Sequence, residues 1–180
     1  AITYYNKVIE INPNYLGALL NLGNVFQRLG QHSQAIFYFQ KVIQINPIYA
    51  DVYNNLAVVF RELGDQKKAI SFCQKAIKIK PHFADAHNNL GVLFMETGKQ
   101  QKAVSHCEKA VRYEPKNLSY TYQLSTIKKE ILNSNLKLKI DKYIHNKNIS
   151  KINLAYGNFL LSKYEFQAKN YKKEFNHLLK

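Results

Sequence analysis

The stretch ADVYNNLAVVFRELGDQKKAISFCQKAIKIKP, residues 50–81, carries Leu56, Ala57, Phe60, Gly64, Ala69, Cys73, Ala76 and Pro81 in an order that recurs at an interval of 34 on both sides. Upstream stand Leu22, Gly23, Phe26, Gly30, Ala35, Phe39, Val42 and Pro47; downstream stand Leu90, Gly91, Phe94, Gly98, Ala103, Cys107, Ala110 and Pro115. Pro13 extends the series by one more interval, and the frames Ile11-Asn12-Pro13, Ile45-Asn46-Pro47, Ile79-Lys80-Pro81 and Tyr113-Glu114-Pro115 match. A fixed period of this length marks a small unit that buries its apolar face only by stacking on its neighbours. Proline cannot continue a helix and restricts the residue before it, so each of the four marks a helix end.

Within one period, Leu19, Leu22, Gly23 and Phe26 fall three or four residues apart and share one helical face. Gly30, Gly64 and Gly98 then supply the left-handed residue that closes a helix. A second helix follows, with Ala35, Phe39 and Val42 inward, repeated as Ala69, Cys73 and Ala76 and again as Ala103, Cys107 and Ala110. The spacing predicts helices over 16–29, 33–45, 50–63, 67–79, 84–97 and 101–113. The small residue on each helix lets its partner approach closely.

Composition agrees with an all-α protein. Among 180 residues, Gly (7) and Pro (4) are scarce and Trp is absent, which argues against a turn-rich β fold. No apolar run approaches the length of roughly 18 residues that spans a membrane. Two cysteines, Cys73 and Cys107, give no disulfide framework. They are equivalent core positions about one repeat apart, too far for a bond that needs Cα atoms within about 7 Å. The net charge is +14, and 23 of the 26 basic residues are Lys. It is uneven: residues 1–117 hold 14 basic and 8 acidic residues, and 118–180 hold 12 and 4.

The pattern resembles the tetratricopeptide repeat, a 34-residue helix-turn-helix, and residues 16–49, 50–83 and 84–117 make three full copies. The departures are mild: the first aromatic becomes Leu19, Tyr53 or His87, a Gly becomes Ala57, and the second-helix aromatic becomes Cys73 or Cys107. The resemblance implies a right-handed superhelical solenoid of antiparallel helix pairs. Ala1, Tyr5 and Val8 fit the second helix of an earlier, truncated repeat over 1–15, and the chain is expected to be a fragment with further repeats before Ala1.

After Pro115 the pattern decays. Leu124 stays in register, but Ser125 and Lys128 replace the expected Gly and aromatic, and no closing Pro appears. Residues 118–151 are expected to form a degenerate helical connector, with a charged helix over 118–132 and a short one over 135–145. Leu154, Tyr156, Gly157, Leu160 and Leu161 followed by Ala168, Tyr171 and Phe175 predict one more helix pair over 152–180. Tyr171, Phe175, Leu178 and Leu179 form an apolar stripe that calls for a further neighbour, so a folded domain is expected after Lys180.

The family resemblance places a binding groove on the first helix of each copy. In the first copy its positions are Gly17, Leu20, Asn21, Asn24, Gln27 and Arg28. The second supplies Asp51, Asn54, Asn55, Val58, Arg61 and Glu62, and the third Asp85, Asn88, Asn89, Val92, Met95 and Glu96. Asn21, Asn55 and Asn89 therefore form a ladder. An Asn amide offers an acceptor and two donors, enough to satisfy both polar groups of a peptide unit, so the row can hold an extended protein or peptide segment by its backbone. The same Asn residues can equally fix the packing of adjacent repeats.

The ladder, with Asp51 and Asp85 beside it, is similar to that of the O-linked N-acetylglucosamine transferase family. The chaperone-binding members of the tetratricopeptide family hold two carboxylates with Lys and Arg. Asp51 and Asp85 stand where that clamp places Lys, and would repel such a ligand.

No phosphate-binding, nucleophile-elbow or zinc-protease motif is present, and His82, His87 and His106-Cys107 have no recognised zinc spacing. The expected protein is a non-catalytic interaction scaffold without cofactor, cytoplasmic in setting, since no secretory segment is visible. Asn117-Leu118-Ser119 and Asn148-Ile149-Ser150 match a glycosylation triplet without that context. Lys128, Lys129, Lys137, Lys139, Lys142, Lys147 and Lys151 form a basic stretch, read as a solvated helix face or as a weak anionic-surface or phosphate binder. Nearly devoid of Arg, it predicts no specific nucleic-acid recognition. Residues 131–180 further resemble the connector before the catalytic domain of bacterial tetratricopeptide sulfotransferases, which would make the chain the substrate-presenting arm of a transferase.

Overall fold

The computed structural model describes residues 1–146, 148–169 and 177. Among them the secondary structure is entirely helical: α1 (Ile2–Ile11), α2 (Leu16–Arg28), α3 (His32–Ile45), α4 (Ala50–Glu62), α5 (Gln66–Ile79), α6 (Ala84–Glu96), α7 (Gln100–Tyr113), α8 (Leu118–Ile127), α9 (Ser134–Ile144) and α10 (Lys151–Gln167). The bounds of α2 to α7 agree with the periodicity to within one residue. The chain divides into two compact units, 1–93 and 94–180, and the division falls inside α6.

In the first unit α2 pairs with α3 and α4 with α5, each across a short turn, while α1 packs on α2 and α3 on α4. The turns follow from glycine. Gly30 has φ +70° and Gly64 φ +78°, and in each case the next residue donates its N–H back into the helix just ended, Gln31 to the Phe26 carbonyl and Asp65 to the Phe60 carbonyl, both at 2.9 Å. This arrangement satisfies the last carbonyls of the first helix and reverses the chain. Gly98 and Lys99 repeat it in the second unit, with φ +72° and 2.7 Å to Phe94.

The inward faces are those the repeat predicts. Leu19, Leu22 and Phe26 of α2 meet Ala35, Phe39 and Val42 of α3, and Val52, Leu56 and Val59 continue the core on α4. Gly23 is needed for close approach: a Cβ there would collide with the Phe39 ring. The varied first aromatic position also has a purpose in two copies. The Tyr53 hydroxyl donates to the Pro47 carbonyl at 2.9 Å, and His87 Nε2 lies 3.0 Å from the Pro81 carbonyl, tying each helix start to the turn before it. On α1 the residues turned to the core are Ile2, Tyr5 and Ile9, whereas Ala1 is exposed.

The second unit departs from expectation where the repeat decays. The charged helix expected over 118–132 is instead α8, which has no charged residue and ends at Ile127, followed by a 3₁₀ turn at Lys129–Ile131. Lys128 is extended, with φ −124° and ψ 88°, and its ammonium reaches back to Glu108 at 2.8 Å. α8 packs on α7 and α10, and α9 packs on α10. Gly157 of α10 makes its close approach to Ile144 of α9, the preceding helix, where an added Cβ would collide. Leu118, Ile140, Ile144, Leu160 and Leu161 form the core. Tyr171, Phe175, Leu178, Leu179 and Lys147, together with the Asn170–Phe175 part of the connector resemblance, lie outside the described residues.

Candidate functional site

Burying Leu19, Leu22 and Phe26 on one side of α2 leaves Asn21, Asn24 and Arg28 on the other, and the same register governs α4 and α6. Asn21, Arg28 and Asp85 are exposed; Asn24, Asp51, Asn55, Arg61, Asn88 and Asn89 are half-buried; Asn54 is buried, 8% exposed. The asparagines do not stand apart as a simple ladder. Asn55 Nδ2 donates to Asn24 Oδ1 at 2.8 Å, joining α4 to α2, and Asn89 Nδ2 donates to Asn54 Oδ1 at 2.9 Å, joining α6 to α4.

The two links differ for a reason visible in sequence. Val58 occupies in the second copy the position that Asn24 holds in the first, so Asn89 finds its acceptor on Asn54 instead. Each amide still has capacity to spare. An Asn carries two donors and two acceptor lone pairs, and Asn55 and Asn89 each use a single N–H among the described residues. Asn88 Oδ1 is buried with no hydrogen-bond partner there. The face therefore carries two amide pairs oriented by cross-helix bonds, and Asn55 and Asn89 keep hydrogen-bonding capacity unused among the described residues.

Both cysteines are free and buried. Burial pushes the Cys73 thiol up to about 12, a rise that Arg61 opposes, and pushes Cys107 up to about 11, with Glu108 adding to it. A thiol held this far above neutrality has almost no thiolate with which to react. Alkylation of the native protein at pH 8 is therefore expected to run at least ~100-fold slower than in urea for both residues; comparable rates would show that the repeat core opens readily.

The basic stretch is partly neutralised by its own acids. Lys128 pairs with Glu108, and Lys137 with Glu165 at 2.7 Å. Lys139, Lys142 and Lys151 are exposed and spread over two helices. Sequence reasoning did not single out Lys163 and Glu165; the signal was present, as charges inside the otherwise apolar run of α10. An apolar cavity of about 580 Å³ also opens between α7, α8 and α9, lined by Val111, Leu118, Leu124, Ile131, Ile140 and Tyr143. Among the described residues no group of three or more His, Cys, Asp or Glu converges as metal ligands, and no helix is long and apolar enough to cross a membrane.

A fold of glycine-closed helix hairpins at a period of 34, with an amide-lined face on the first helix of each, defines a solenoid of the interaction-module class. The chain belongs to the tetratricopeptide repeat family, whose model matches residues 17–49, 50–83 and 84–117. No curated protein matches it. Among solved structures, a crystal structure of MamA is similar with TM-score 0.61 at 24% identity, over 93% of this chain and 89% of that one. YrrB, described as a tetratricopeptide protein with an unusual peptide-binding site, aligns with TM-score 0.62 at 15% identity over 98% and 90%. The first tetratricopeptide domain of Spaghetti (RPAP3), bound to the HSP90 peptide SRMEEVD, aligns with TM-score 0.59 at 22% identity over 66% and 94%. At these identities the likeness is one of fold.

Proposed function

We propose that the chain is a protein-interaction scaffold that holds an extended peptide along the exposed face of α2, α4 and α6, chiefly by its backbone. The observation that supports this most directly is the pair of cross-helix amide bonds, Asn55 to Asn24 and Asn89 to Asn54. They set the orientation of side chains that retain donors and acceptors, so little rotamer freedom is lost when a peptide docks. Asn21 continues the row. Arg28 and Arg61 add donors, and Asp51 and Asp85 disfavour a carboxylate-bearing ligand at their end. Peptide-bound and peptide-binding members among the similar structures support the reading.

The bonding pattern separates two kinds of asparagine. The Asn21 side chain has no hydrogen bond to a described residue, whereas Asn55 and Asn89 each hold a neighbouring helix. With a peptide selected from a random library, Asn21→Ala is expected to weaken binding about tenfold with an unchanged melting temperature. Asn55→Ala and Asn89→Ala should weaken binding and also cost about 1 kcal/mol of stability each. Full affinity in Asn21→Ala together with Asn55→Ala would show that this face is structural only.

A further inference from the structure

We propose that α10 and the 3₁₀ turn after α8 build a second site, independent of the peptide face, for a doubly charged oxyanion of the phosphate or sulfate type. Lys129, Ser162, Lys163 and Gln167 line a cleft of about 400 Å³, with Phe166 on its wall. Two lysines thus line one cleft. Neither forms an ion pair with a described residue, in contrast to Lys128 and Lys137 close by.

Lys163 is held in place rather than left free in solvent. Its ammonium donates to Ser125 Oγ at 3.0 Å and sits 4.8 Å from the centre of the Tyr122 ring. Ser125 is fully buried and spends its own proton on the Tyr122 carbonyl at 2.7 Å, so its oxygen is oriented as an acceptor for Lys163. Ser125 occupies the repeat position of Gly23, Ala57 and Gly91, and that departure from the pattern is what anchors the cation. An ammonium has three donors. One goes to Ser125, leaving two for a ligand.

Desolvation, and after it the repulsion of Lys129, lowers the Lys163 pKa below its ordinary value. The protein thus keeps a partly buried cation beside a like charge, a combination that is unfavourable until a counter-anion arrives. A dianion answers both lysines at once, where a monoanion answers one. Ser162, 6% exposed, brings a hydroxyl to the same cleft.

The test is a titration of the full chain with inorganic phosphate at constant ionic strength, balanced with chloride, while lysine side-chain resonances are followed by NMR. Saturable shifts of Lys129 and Lys163 are expected, with millimolar affinity, and acetate should bind at least about fivefold more weakly because it carries half the charge. Lys129→Met and Lys163→Met should each weaken phosphate about tenfold, and Ser125→Ala by less. The wild-type saturation stands by itself if a variant folds poorly. Tighter binding of a phosphoserine peptide than of phosphate assigns the anion to a protein partner, and equal binding assigns it to the free ion. A linear response no different from chloride, or undiminished affinity in the Lys129→Met, Lys163→Met double variant, would overturn the proposal.

Discussion

Replacing Phe39 by alanine is expected to destabilise the first unit by about 4 kcal/mol, within the range for deleting a fully buried aromatic ring. Phe39 is 0% exposed and its ring packs directly against Gly23 of α2. Its ring fills the space above Gly23, so the two residues form one packing unit. Gly23→Ala should therefore be costly by itself, about 2 kcal/mol, because the new methyl has the ring in its way and the backbone must shift. The double variant separates this account from a simple loss of apolar area. The methyl added by Gly23→Ala would partly occupy the hole left by Phe39→Ala, so the double variant should be more stable than the sum of the single losses predicts, by at least about 1 kcal/mol. Urea unfolding of the four proteins measures the coupling; strict additivity would show that the close approach carries no energy.

Lys137→Met should cost about 3 kcal/mol, because it strands the carboxylate of Glu165, which is 2% exposed, without its partner. Removing both charges, as Lys137→Met with Glu165→Leu, should restore most of the lost stability, since a well-packed apolar pair avoids the desolvation that the ion pair must offset. The pH dependence has a definite sign. Hydrogen bonding to Glu165 raises the Lys137 pKa above its ordinary value. The folded protein then holds this proton more tightly than the unfolded chain, so the contribution is full below about pH 10 and is lost as pH climbs through the folded value. A double variant as unstable as Lys137→Met would mean that the side-chain stems, and not the charges, hold α9 to α10.

The part of the fold legible in sequence was the part that repeats. Gly30, Gly64 and Gly98 gave the helix ends because only one backbone conformation closes such a hairpin, and three copies removed ambiguity. Ala35, Ala69 and Ala103 gave the contact face for the same reason. Once Ser125 and Lys128 replaced the pattern, periodicity no longer indicated where a helix stops, and α8 proved shorter than expected. Lys128, the residue that follows its last turn, pairs with Glu108, a contact 20 residues away that no local pattern encodes.

The peptide face shows the same boundary. The positions of Asn21, Asn55 and Asn89 followed from register, but the bonding of Asn89 to Asn54 depends on Val58, a residue that does not itself take part. The charge of Lys163 within α10 was visible locally, but its anchoring was not, since Ser125 is 38 residues away on another helix.

The hairpin turns carry a consequence for how the molecule reaches its structure. In the first unit the helices that pair are adjacent in the chain and joined by turns of three residues, 29–31 and 63–65. The cross-repeat amide bonds close loops of only 31 and 35 residues. Little chain entropy is lost before such contacts form, so either hairpin can nucleate and the other condense onto it. Folding in this unit should then be fast and able to start from more than one place, and a lesion in one hairpin should leave the other free to begin.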